Sequence, residues 1–182
     1  ASNLEESATD DIEEMRQSHL ANSNTNVLVQ IGGGETKYSN IQRYEIFHNQ
    51  VKITNINKTN MADSQTLSDF IKWGISNSPA KKYGLILWDH GQAINGFGAD
   101  VNYSPAEALD FSEIKSLMTA DALHLSEIKS LKDTLISDLN YTNLEFIGFD
   151  SCLLATMEVA TVLSSHIPLS KYMIASEEVE PN

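Results

Sequence analysis

Two apolar runs, Tyr-Gly-Leu-Ile-Leu-Trp at 83–88 and Leu-Glu-Phe-Ile-Gly-Phe at 144–149, limit what this chain can become. Each is too short for a helix of ordinary length and too continuously apolar for a strand with one wet face. Such runs read as strands buried inside a sheet. Lys-Tyr-Met-Ile-Ala at 171–175 reads as a third, and Val27-Leu28-Val29-Gln30-Ile31 has the β-branched character of a further buried parallel strand. Segments of helical period lie between them. Strands alternating with helices indicate an α/β fold built on a largely parallel sheet.

The first helix is expected over 2–19, with Ser2 and Glu5 as a capping box and Leu4, Ala8, Ile12, Met15 and His19 on or beside one stripe. Gly32-Gly33-Gly34 reads as a turn, since no helix and no Lys-Ser/Thr pair follows to make a phosphate loop. Residues 41–48 and 51–56 alternate apolar with polar around Asn49-Gln50, the pattern of a β-hairpin with one solvated face. Asp63 is placed to cap a second helix that buries Leu67, Phe70, Ile71, Gly74 and Ile75 and ends near Pro79. Ser-Glu-Ile-Lys-Ser-Leu occurs at 112–117 and again at 126–131; two copies are too few for a solenoid. Residues 153–163 carry a third helical pattern through Leu153, Met157, Ala160 and Val162.

Composition removes some classes of function. Lys and Arg total 12 against 25 Asp and Glu, a formal charge of −13. Sequence-independent nucleic-acid binding relies on clustered cations and is not expected. Cationic substrates or bound Ca²⁺ suit this balance, as does simple solubility. No apolar run approaches the roughly 18 residues of a membrane span. The single cysteine, Cys152, rules out an internal disulfide and a multi-cysteine metal site.

Two of the buried runs end in reactive groups. Asp89-His90-Gly91 follows the first and Asp150-Ser151-Cys152 the second. In open α/β sheets, sites gather at the carboxyl ends of the strands. Adjacent strands would therefore bring an imidazole to a thiol. A thiol must ionise to attack a carbonyl. The expected start of a helix at Cys152 would favour the thiolate through the helix dipole, and His90 would pair with it or take its proton. The amides of Gly91 and Cys152 would then receive an oxyanion. Structural roles for both residues, a hydrogen-bonded histidine and an inert thiol, fit the positions equally well.

The surrounding residues go further. Leu85-Ile86-Leu87-Trp88-Asp89-His90-Gly91 and Phe149-Asp150-Ser151-Cys152-Leu153-Leu154-Ala155-Thr156-Met157-Glu158-Val159-Ala160 closely resemble the two catalytic motifs of the clostripain family, bacterial cysteine peptidases of caspase-like fold. Met61-Ala62-Asp63, Thr66-Leu67, Asp69-Phe70-Ile71 and Ala175-Ser176-Glu177-Glu178-Val179-Glu180-Pro181 also match. The resemblance implies an α/β, three-layer αβα sandwich with a mostly parallel central sheet and a small β-hairpin. It implies one peptidase domain over 1–182 with family elements lying beyond both ends.

By the same resemblance His90 is the proton-transfer residue, Cys152 the nucleophile, and Gly91 with Cys152 the oxyanion hole. Asp150, with Ser176, Glu177 and Glu178 behind it, would form a pocket for a basic P1 residue, where a carboxylate suits a guanidinium or ammonium. The implied partners are protein or peptide substrates with Arg or Lys at P1, and a second chain cut from the same precursor. The repeat at 110–140 is then the candidate self-cleavage segment, with Lys115, Lys129 and Lys132 as cleavage points; a helix pair with solvated lysines is the alternative. The family implies export from a bacterial cell and allows Ca²⁺, although no EF-hand-type loop is present. Competing expectations are a non-catalytic caspase-like binding module and another thiol acyl-hydrolase or transferase. A Ser151 nucleophile is weaker, for want of a Gly-x-Ser-x-Gly elbow.

Overall fold

The computed structural model describes residues 4–18, 24–47, 50–91, 97–98, 100, 102–103, 144–164 and 170–179. The described residues of Ala1–Met61 with Asp100–Tyr103 form one compact unit, and those of Ala62–Ala99 with Ser104–Asn182 form a second. The repeat at 110–140, Ser2 and His19 lie outside the described residues.

In the first unit, helix α1 (Glu5–Gln17) precedes strands β1 (Val27–Ile31), β2 (Ile41–Phe47) and β3 (Gln50–Ile56). The apolar stripe of α1 is as expected: Leu4, Ala8 and Ile12 are buried. Ile12 packs with Tyr44 and Ile46, and Met15, Val27, Val29, Ile31 and Val51 close around them. The capping role of Glu5 is not. The helix begins after Leu4 without a side-chain cap. The Glu5 carboxylate instead accepts hydrogen bonds from Thr36 N (3.2 Å), Thr36 Oγ1 (2.6 Å) and Tyr38 N (3.1 Å), tying the helix to the turn before β2.

The hairpin of β2 and β3 is antiparallel, with Ile41 opposite Ile56 and Phe47 opposite Gln50. The expectation for β1 fails. It pairs antiparallel with β2, Val27 opposite Ile46 and Ile31 opposite Gln42, at the edge of a three-stranded sheet. The physical reason lies in the connection: residues 32–40 are fewer than the dozen or so that a parallel crossover requires. Gly33 turns the chain at φ 78. Its missing Cβ leaves room for the buried carboxylate of Asp100, which would stand 3.1 Å from one. That carboxylate accepts from Met61 N (2.9 Å), Asn102 N (2.9 Å) and Asn102 Nδ2 (3.1 Å).

The second unit is the parallel sheet that the two apolar runs imply. Helix α2 (Ser64–Asn77) leads into β4 (Gly84–Trp88), followed by β5 (Leu144–Asp150), helix α3 (Met157–Ser164) and β6 (Ser170–Ile174). Asp63 caps α2 as expected, its side chain accepting from Gln65 N at 2.8 Å. The strands run parallel in the order β4-β5-β6.

Register sets the faces. Leu85 lies beside Ile147, Leu87 beside Phe149, and Ile147 beside Met173. On a pleated sheet these five point to one side, and they join one core with Leu67 and Ile71 of α2 and Val159 and Leu163 of α3. On the other side, Ile86, Tyr172 and Ile174 are each more than 60% exposed. At the amino ends of the strands, Glu145 bridges Lys82 (3.3 Å) and Lys171 (3.0 Å). The fold is mixed α/β and caspase-like, a parallel sheet accompanied by a small antiparallel sheet.

Candidate active site

Parallel pairing fixes where the reactive residues fall. Trp88 is the register partner of Asp150, so the two strands end side by side. His90 lies two residues beyond Trp88 and Cys152 two residues beyond Asp150. Adjacent strands thus deliver the histidine and the cysteine to the same edge of the sheet.

Local bonds shape the turn at His90. Asp89 accepts from His90 N at 2.6 Å, and Gly98 N donates to the His90 carbonyl at 2.9 Å. Gly91 and Phe97 form an antiparallel bridge. Phe97 is buried and meets Phe149 of β5 edge-on, ring centroids 6.2 Å apart. His90 is exposed.

Gly91 packs directly on the nucleophile candidate. A Cβ built on it would run into the Cys152 carbonyl oxygen and stand 3.2 Å from the Cys152 nitrogen. Only glycine permits this approach of two backbones. The two residues expected to share an oxyanion are therefore backbone neighbours.

Cys152 does not stand at a helix start. It is half-buried in a turn, and α3 begins five residues later at Met157. Thr156 caps that helix, its hydroxyl accepting from Val159 N at 3.2 Å. The helical spacing from Leu153 onward was misleading because the intervening amides bond elsewhere. Leu153 N donates to Glu178 O (3.2 Å) and Ala155 N to Ser176 O (2.9 Å), while Leu153 takes φ 59. The dipole of α3 consequently offers Cys152 much less than a helix starting at Cys152 would, since the effect fades within a turn.

Those two bonds join the loop after β5 to the loop after β6. The P1-pocket candidates are thereby gathered beside Cys152. Asp150 is exposed at the end of β5, and Glu177 and Glu178 are exposed after β6. Ser176 exchanges hydrogen bonds with the Glu178 backbone, accepting from its N at 3.1 Å and donating to its O at 3.2 Å. Ser151, by contrast, is buried, its hydroxyl without a hydrogen-bond partner among the described residues. A serine sealed in the interior is no nucleophile for a peptide.

No three His, Cys, Asp or Glu side chains among the described residues are placed to hold a metal ion. Sequence reasoning missed two residues: Asp100, buried and acidic within a polar stretch, and Leu153, whose left-handed backbone no helical pattern reveals.

The chain matches the clostripain family over residues 1–182. It is 30% identical over 185 residues to clostripain of Hathewaya histolytica, covering 87% of this chain and 33% of that protein. A secreted C11 cysteine protease from Bacteroides thetaiotaomicron, solved with an irreversible peptide inhibitor, superposes with a TM-score of 0.67 at 18% identity, over 96% of this chain and 45% of that one. Its counterpart structure, called iotapain, gives 0.69 at 14% identity, over 99% and 50%. The chain thus spans a third to a half of the length of these relatives. From its whole-length family match and its parallel sheet with histidine and cysteine at adjacent strand ends, this chain belongs to the clostripain family of cysteine peptidases.

Proposed function

We propose that the protein is a cysteine endopeptidase that cuts after Arg or Lys. The observation that carries this reading is the register of Trp88 with Asp150, which sets His90 and Cys152 at neighbouring strand ends. His90 accepts the thiol proton and Cys152 Sγ attacks the carbonyl carbon of the scissile bond. The amides of Gly91 and Cys152 donate to the oxyanion. His90 returns the proton to the leaving amine, which departs and leaves an acyl-enzyme. Water, deprotonated by His90, releases the carboxylic acid and restores the thiol. Asp150, with Ser176 and Glu177 on the adjoining loop, receives the basic P1 side chain.

The decisive assay uses the complete protein on fluorogenic peptides ending in Arg, Lys, Asp or Asn, alongside Cys152→Ala. Arg and Lys peptides should turn over and the variant should not. Equal turnover by Cys152→Ala would remove the nucleophile assignment, and a preference for Asp would remove the pocket role of Asp150.

Activation by self-cleavage is part of the same proposal, with Lys115, Lys129 or Lys132 as the cut and a second chain of the precursor retained. The support is the placement of these lysines in a duplicated stretch between the two motifs. N-terminal sequencing of the matured protein should find a new end between residues 110 and 140, absent from Cys152→Ala. Export from a bacterial cell is proposed from the secreted relative; no described helix is long and apolar enough to cross a membrane.

A further inference from the structure

We infer that Leu153 and Val179 form an apolar subsite for a large hydrophobic side chain next to the basic residue of the substrate. This inference rests on the peptidase reading and adds a second specificity to it. Leu153 follows Cys152 directly and is the one described non-glycine residue with positive φ. A branched side chain disfavours that conformation, and strain of this kind collects at functional sites. The fold requires the turn: it sends Leu154 into the core at 1% exposure and hands the Leu153 and Ala155 amides to the loop after β6. It does not require a leucine there. Gly or Asn would suit the backbone better, and a polar residue would suit the solvent.

Leu153 is nonetheless 39% exposed, and Val179 70% exposed. The bond from Leu153 N to Glu178 O (3.2 Å) brings Leu153 beside the residue that precedes Val179. Met157, at the start of α3, adds a third exposed apolar side chain to the same stretch. In sequence Leu153 follows Cys152 directly, and Asp150, Glu177 and Glu178 carry exposed carboxylates on the same two loops that the Leu153 N to Glu178 O bond joins. A peptide with a cation for the carboxylates and an apolar neighbour for Leu153 and Val179 matches both chemistries. Its apolar side chain leaves water at the moment the bond reaches Cys152.

The test measures kcat/KM of the complete, matured protein on matched peptides carrying Leu or Gly next to Arg, on the acyl side in one pair and on the leaving side in another. Leu should exceed Gly by about tenfold in one pair, the discrimination that a small apolar contact supplies. In Leu153→Asn and Leu153→Gly, whose side chains suit the observed backbone, and in Val179→Ser, the Leu-to-Gly ratio should fall toward one. A ratio of two substrates on one preparation does not depend on how much of a variant is folded. Arg peptides cut without any Leu preference, or a preference unchanged in all three variants, would overturn the subsite and leave the peptidase reading standing. Failure of the intact protein to cut any Arg or Lys peptide would overturn both.

Discussion

At residue 91 the approach to Cys152 depends on a missing atom. The neighbours of a Cβ there would be the carbonyl oxygen, carbonyl carbon and nitrogen of Cys152, all backbone. A flexible side chain could swing aside, but a strand end held by the β4–β5 ladder cannot. Gly91→Ala should therefore push the two strand ends apart. Displacements near 1 Å cost on the order of a hundredfold in rate when reacting groups lose alignment. A comparable fall in kcat/KM on Arg peptides, with the far-UV spectrum retained, is the expected result; wild-type turnover would show that the two amides need not adjoin. Asp150 makes the second residue-scale case. Asp150→Asn keeps the shape of the side chain and removes its charge, leaving a guanidinium bound without its counter-ion. The expected loss is roughly 30-fold or more in kcat/KM for Arg peptides, the 2–5 kcal/mol typical of truncating one partner of a charge pair that the bound substrate buries. An unchanged value would place the cation elsewhere.

Secondary structure was legible wherever one local signal decided it. Asp63 before an apolar stripe announced α2, and the cap is present at 2.8 Å. Removing it in Asp63→Ala should cost about 1 kcal/mol, seen as a melting point lower by roughly 2–4 °C in a chain of this length. No change would mean that packing of Leu67 and Ile71 alone holds the first turn. The runs ending at Trp88 and Phe149 were legible for a different reason: only burial in a sheet suits them. The rule that sites form at strand ends singles out His90 and Cys152 as candidates, and the register of β4 with β5 puts those two strand ends side by side. Two readings failed where non-local bonds decided. β1 has the composition of an interior parallel strand, yet the short 32–40 link forces an antiparallel return. The 153–156 segment keeps helical spacing, yet its amides bond to a loop more than 20 residues further on. Spacing records which side chains want burial; it carries no record of where the backbone donors go.

Across the whole chain, acidity sets up a contest between general repulsion and local partners. With a net charge of −13, neutralising almost any carboxylate should relieve repulsion and slightly favour the folded state near pH 7. Two carboxylates oppose that trend. Partial burial works to raise the Glu5 carboxyl, but hydrogen bonds from Thr36 and Tyr38 outweigh it and hold it below its ordinary value. Glu145 is lowered chiefly by its hydrogen bond from Lys171, then by that from Lys82. A carboxyl with a folded-state pKa below its unfolded value, about 4.3 for Glu, adds stability above that value. It loses the contribution as pH falls through the folded-state pKa. Glu5→Gln and Glu145→Gln should therefore lower the urea midpoint near pH 7, and the gap from wild type should close between about pH 5 and pH 3. The exposed Glu35 supplies the control, since Glu35→Gln removes the same charge and should leave the midpoint level or raise it. Losses at residues 5 and 145 of equal size at every pH would mean that shape and neutral hydrogen bonding hold these contacts. Losses that vanish in acid and weaken in salt at residue 145 would show that charge does, because a surface Lys–Glu–Lys bridge is screened where the Glu5 contacts to backbone N–H groups are screened less.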